Sequence, residues 1–106
     1  ESAEEYYSTT FHELVHSTGH KSRCDRLMTG IARSKSETYS KEELVAEIGS
    51  AMLCNIAELD ISKCFNNSVA YISGWLRKLQ DDNRLIVYAA ARAEKAVKYI
   101  LNEKDC

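Results

Sequence analysis

The chain has 106 residues, 44% of them hydrophobic and 28% charged, which suits one globular domain and excludes a disordered segment. Its net charge of −2 offers no electrostatic footprint for nucleic acid or for an anionic membrane surface. No apolar run approaches the ~20 residues that a bilayer span needs, so no membrane partner is expected.

The absence of proline and the presence of only four glycines favour helices. The chain opens without Met and without a signal-peptide pattern, and is expected to be a piece of a longer protein. A first helix is predicted from Ala3 to Thr18. Ser2 followed by Glu5 is a capping-box signature. Tyr7, Phe11, Leu14, Val15 and Thr18 fall on one stripe at helical spacing. Gly19 supplies the expected stop.

Residues 20–39 read as irregular, with Leu27 and Met28 tucked against the core. The basic residues Lys21, Arg23, Arg26, Arg33 and Lys35 are interleaved with serines and acids, and read as a solvated loop. A second helix is predicted from Lys41 to Leu59, with Ser40 as N-cap and Glu43 in the capping-box position. Its apolar stripe is Val45, Ile48, Met52, Ile56 and Leu59.

Residues 60–67 form a connector. A third helix is predicted over 68–80, with Val69, Ile72, Trp75, Leu76 and Leu79 facing inward. A fourth, capped by Asp81 or Asp82, reaches Leu101 with the stripe Ile86, Ala89, Ala90, Ala93, Val97 and Ile100. Its alanines allow close helix approach. The expected fold is therefore mainly α, a single domain over 1–106 with about four helices in a small bundle. Cys24, Cys54, Cys64 and Cys106 form no C-x-x-C pair, and are read as reduced thiols of a cytoplasmic protein, with a disulfide as the alternative.

The chemistry-bearing stretch is His12-Glu13-Leu14-Val15-His16, an H-E-x-x-H pattern. At 3.6 residues per turn, His12 and His16 lie one above the other on a single helix face and can hold one metal ion. Glu13 follows the first histidine, where its carboxylate can reach a water on that metal. They border the apolar stripe, partly shielded and still open to substrate.

A catalytic zinc takes three protein ligands and keeps one position open. For the third, Glu43 at the start of the second helix is one candidate, with Glu47 one turn later able to orient a ligating histidine. Both also read as ordinary solvated helix acids. His20 is another candidate, although Gly19 should end the helix before it, and a loop hydrogen bond or a place lining the site suits it better. The extended pattern H-E-x-x-H-x-x-G-x-x-H matches at Gly19 but places Ser22 in its last position, which rejects that version.

Tyr6 to His20, including the H-E-x-x-H motif, resembles the metallopeptidase domain of ArdC-type antirestriction proteins. Glu42-Glu43-Leu44-Val45-Ala46-Glu47-Ile48-Gly49 matches that family's second motif, and Tyr71 to Leu76 with Ala90 to Ala96 look like its closing helices. The pattern is also similar to glutamate zincins. Carried over position by position, the resemblance implies Zn2+ on His12, His16 and Glu43, with Glu13 as the catalytic base and a peptide or protein substrate. It also implies a β-sheet upstream of the motif helix and a DNA-binding domain, both absent from this chain, which would then be the helical half of a zincin-like domain.

The function expected from these readings is zinc-dependent hydrolysis of peptide bonds. Tyr39, His20 and Tyr71 are the available donors for an oxyanion. The alternatives are a zincin-like scaffold that binds a protein or DNA partner without turnover, and a purely structural helical module.

Overall fold

The computed structural model of the chain describes residues 2–26, 31–60, 63, 84–104 and 106, and of residues 31–40 the backbone alone. Among them are three helices and no strand: α1 (Ala3–Ser17), α2 (Ile31–Ile56) and α3 (Arg84–Ile100). The helix expected over 68–80 lies outside the described residues.

α1 starts where its capping box places it. Ser2 Oγ accepts from the Glu5 amide at 3.1 Å, and Glu5 Oε1 accepts from the Ser2 amide at 3.0 Å. Two of the helix's orphan N–H groups are thereby satisfied. These bonds favour the ionised Glu5 and hold its carboxyl below the ordinary range. At the other end, the Thr18 amide donates to Leu14 and Val15 carbonyls, and the Gly19 amide to His16. Gly19 ends the helix without entering the left-handed region, since no described glycine has a positive φ.

The loop after α1 folds back on it. The Cys24 amide donates to the Thr18 carbonyl at 2.7 Å. Asp25 takes a left-handed conformation (φ 55°), and the Arg26 amide then returns to the Gly19 carbonyl at 3.0 Å. Arg26 is thus delivered to the C-terminal end of α1.

The second helix is longer than the sequence pattern suggests. It begins at Ile31, so residues 31–39 are helical rather than irregular, and Ser40 and Glu43 are interior positions rather than a cap and its partner. The serines and charges of this first stretch obscure its helical period. α2 and α3 end alike. Glu58 (φ 60°) donates to Asn55 and Leu59 to Cys54; Asn102 (φ 62°) donates to Tyr99 and Glu103 to Lys98. Each is a Schellman motif, built on a non-glycine left-handed residue.

α2 is the central element and packs against both α1 and α3. Its middle is buried nearly all round: Leu44, Val45, Ala46, Leu53 and Cys54 are all at most 4% exposed. From α3 the core takes Ala89, Ala93, Ala96 and Val97, and from α1 Val15. The alanines let α3 approach closely, as its stripe implies. Several stripe positions are nevertheless exposed: Tyr7 and Leu14 on α1, Ile56 on α2 and Ile86 on α3. α2 packs tightly on α1 at Gly49, where an added Cβ would lie 2.9 Å from Val15 Cγ2.

The thiol reading is corrected at two positions. Cys24 and Cys106 form a disulfide across 82 positions of sequence, tying the loop after α1 to the end of the chain. Neighbouring spacing carries no sign of so distant a pair. Cys54 is a buried, reduced thiol, and Cys64 lies outside the described residues. No described helix is long and apolar enough to cross a membrane.

Candidate metal centre

Two helices build the site. α1 presents His12 and His16 one turn apart, with ring centroids 4.7 Å apart and planes at 76°. α2 brings Glu42, Glu43 and Glu47 against them. The junction forms because Val15 and Gly49 let the backbones approach, and because Ser50 Oγ donates across to the Ser8 carbonyl at 3.0 Å.

Three side chains converge. His12 Nε2 and His16 Nε2 are 3.1 Å apart. Glu43 Oε1 is 2.7 Å from His16 Nε2, and Glu43 Oε2 is 3.3 Å from His12 Nε2. Among the described residues, His12, His16 and Glu43 form the one cluster of metal-ligating type, and all three are partly buried.

Each histidine is gripped from behind. Glu47 Oε1 lies 2.7 Å from His12 Nδ1, and Glu42 Oε2 lies 3.0 Å from His16 Nδ1. Both carboxylates accept from an Nδ1–H, which leaves each Nε2 facing the convergence point. This is the arrangement in which a carboxylate orients a ligating imidazole and raises its basicity.

The charges of the site are tuned accordingly. The Glu47 hydrogen bond raises the His12 pKa above the ordinary histidine value, against the effect of burial. Glu42 does the same for His16, with Glu43 adding to it. Burial acts to raise the Glu42 carboxyl, but hydrogen bonds from Arg26 and His16 outweigh it and hold the carboxyl below its ordinary range.

The donor set suits a small divalent cation. Two imidazole Nε2 atoms and a carboxylate oxygen face one another, an arrangement that requires a proton or a cation among them. Tetrahedral zinc with bonds of roughly 2.0–2.2 Å separates its ligand atoms by roughly 3.3–3.5 Å. The 3.1 Å between the two Nε2 atoms and the 3.3 Å from His12 Nε2 to Glu43 Oε2 lie close to that spacing, while the other Glu43 oxygen makes the 2.7 Å contact with His16.

The remaining expected site residues fall as follows. Glu13 is exposed on α1 and close enough to act electrostatically on His12. His20 is exposed, and its Nδ1 accepts from the Ser22 amide at 3.1 Å and pairs with the Ser22 hydroxyl at 2.8 Å. It makes a loop hydrogen bond and stands apart from the cluster. The Tyr39 side chain and Tyr71 lie outside the described residues.

Two contributors escape the sequence reading. Glu42 is 7% exposed and contacts His16, a role the sequence reading did not assign to it. Arg26 was expected in a solvated loop, yet its side chain is 7% exposed and ion-paired to Glu42 at 2.9 Å. The one available signal was the adjacency of Glu42 and Glu43, which places one carboxylate on each side of an opposing histidine.

The profile of the zincin-like metallopeptidase family matches residues 1–92. Two Escherichia coli proteins, each named DNA primase TraC, are 45% and 43% identical to the chain over 100 residues. Those stretches take in 94% of this chain but 9% and 7% of the two proteins. Uncharacterized protein y4eC of Sinorhizobium fredii (strain NBRC 101917 / NGR234) is 36% identical over 96 residues, which is 90% of this chain and 30% of that protein. The chain thus spans less than a third of each of these relatives. No solved structure matches it. On the family profile and the His-Glu cluster together, the chain belongs to the zincin-like metallopeptidases.

Proposed function

We propose that this chain is a zinc-dependent metallopeptidase domain of a larger protein, with His12, His16 and Glu43 as the metal ligands and Glu13 as the base. The observation that carries the reading is the convergence of two Nε2 atoms and the Glu43 carboxylate on an H-E-x-x-H helix. Two histidines and a glutamate are a ligand set of catalytic zinc, which leaves a position for substrate and water.

Bound zinc supplies a Lewis acid and lowers the pKa of its water toward ~7. The chain's own residues do the rest. Glu47 and Glu42 hold the Nδ1–H tautomers, so that each Nε2 offers its lone pair inward. Glu13 accepts a proton on its carboxylate and passes it to the leaving nitrogen. Its exposure leaves that carboxylate open to a substrate.

Within the family, the blocks at residues 6–20 and 42–49 support an ArdC-type, antirestriction-like domain. The relatives named DNA primase support a setting in which another part of the larger protein engages DNA while this one acts on a peptide or protein. The proposed cytoplasmic setting stands against the Cys24–Cys106 bond, because disulfides are rare there. Thiol trapping in intact cells decides between them.

The test is hydrolysis of a fluorescently labelled unfolded protein by the zinc-loaded chain. Glu13→Gln should keep its zinc and lose roughly 10²–10⁴-fold in rate, the usual weight of a general base. A Glu13→Gln chain as fast as the parent rules Glu13 out as base. Zinc retained without turnover on any labelled protein favours a binding scaffold instead.

A further inference from the structure

The Arg26 guanidinium is the most heavily committed side chain near the site. Its Nε donates to Glu42 Oε1 at 2.9 Å, and one Nη donates to Glu42 Oε2 at 2.9 Å. That same Nη donates to the Val15 carbonyl at 2.7 Å, and the other to Thr18 Oγ1 at 2.8 Å. Four of its five N–H groups are engaged, in a side chain 7% exposed.

These partners belong to both helices that carry the ligands. Val15 and Thr18 are at the end of α1, beside His16; Glu42 is on α2, beside Glu43. A cation here also meets the negative end of the α1 dipole and one of its last carbonyls. The Glu42 oxygen that receives the Nη–H also faces His16 Nδ1 at 3.0 Å. A chain of direct bonds therefore runs from Arg26 through Glu42 to His16.

We propose that Arg26 is a positioning residue of the metal centre: its two-point fork fixes the Glu42 carboxylate on His16 Nδ1, and so sets the tautomer and ring plane with which His16 Nε2 meets the metal. A lone buried carboxylate could rotate away from Nδ1. The fork prevents this, because its two parallel bonds fix the carboxylate plane. Lysine carries the charge without the fork and cannot fix that plane. The proposal rests on the reading of His12, His16 and Glu43 as ligands.

The test is zinc affinity by chelator competition on the 106-residue chain, with ¹⁵N shifts of the His16 ring in the zinc-loaded protein. Arg26→Ala should weaken zinc binding by about 10–100-fold, the usual effect of removing support behind a ligand. Arg26→Lys should fall between Ala and the parent, and Glu42→Gln should weaken binding while the chain stays folded. The ¹⁵N shifts should show His16, and not His12, losing its single tautomer. Val97→Ala, a core truncation on α3, serves as a control for loss of stability alone.

Two results overturn the proposal: Arg26→Ala and Arg26→Lys both holding zinc as the parent does, or Val97→Ala weakening zinc as much at equal loss of stability. If Arg26→Ala does not fold, an unchanged affinity and His16 tautomer in Arg26→Lys overturn it. A parent chain that holds no zinc fails the ligand reading itself, and the proposal falls with it.

Discussion

Gly49→Ala probes the contact that sets the spacing of the site. Alanine in a helix interior is normally favoured over glycine by about 1 kcal/mol, so propensity alone predicts a more stable chain. The structure opposes this. The new Cβ would meet Val15 Cγ2 at 2.9 Å and Cγ1 at 3.1 Å. Val15 is completely buried, and a β-branched side chain on a helix has one strongly preferred rotamer, so it cannot swing away. Overpacking of this kind costs about 1–3 kcal/mol. The net expectation is a loss of about 1 kcal/mol, or about 4–8 °C in Tm for a chain of this size.

Urea unfolding followed by far-UV circular dichroism measures it, together with Val15→Ala and the double variant. Val15→Ala removes the two methyls that clash, so the double variant should be more stable than the sum of the singles by about 1 kcal/mol or more. Zinc affinity should fall in Gly49→Ala, because the helix spacing fixes Glu43 against His16. A Gly49→Ala chain more stable than the parent, with additive double-variant energies, would refute the close-contact argument.

Other outcomes follow from the same geometry. Reducing the Cys24–Cys106 bond releases a loop spanning 82 positions and should lower stability by up to about 4.5 kcal/mol, read as a drop in Tm with reductant that a Cys106→Ser chain no longer shows. Both site histidines have raised pKa values, so in the metal-stripped chain their contribution is complete below the ordinary histidine pKa and is lost as pH rises through the raised folded values. Stability of the stripped chain should therefore fall as pH rises from the ordinary histidine value through the raised folded values, while the Tm gain from added zinc grows over the same range; a stripped chain whose stability does not change there contradicts the electrostatics of the site. His20→Ala should leave zinc affinity within about twofold of the parent, as befits an exposed loop residue bonded to Ser22, and a larger loss would place His20 among the ligands.

The motif helix was the most legible part of the chain. Ser2 and Glu5 mark its start, and the four-residue spacing of His12 and His16 determines which face they share, because both signals are local. Glu43 and Glu47 were visible as a pair at helical spacing, though they could also be read as surface acids until α2 was placed against α1. The start of α2 was misread because Ser34, Lys35, Ser36 and Ser40 hide the period that Val45 and Leu53 display. Arg26 and Glu42 were illegible for a different reason. Their burial depends on how a loop returns to the end of α1, and a charged residue in a serine-rich stretch has no local feature to distinguish a clamp from a solvated side chain. The disulfide depends likewise on the meeting of distant segments.

The central claim is the identity of the metal and its ligands, and X-ray absorption at the zinc edge of the zinc-loaded chain tests it most directly. The account predicts one zinc per chain with two imidazole nitrogens at roughly 2.0–2.1 Å and carboxylate oxygen at roughly 2.0–2.2 Å. It also predicts that the imidazole signature falls with His12→Ala or His16→Ala and that Glu43→Ala releases the metal or changes its oxygen shell. Sulfur in the first shell, or a spectrum unchanged by Glu43→Ala, would contradict it.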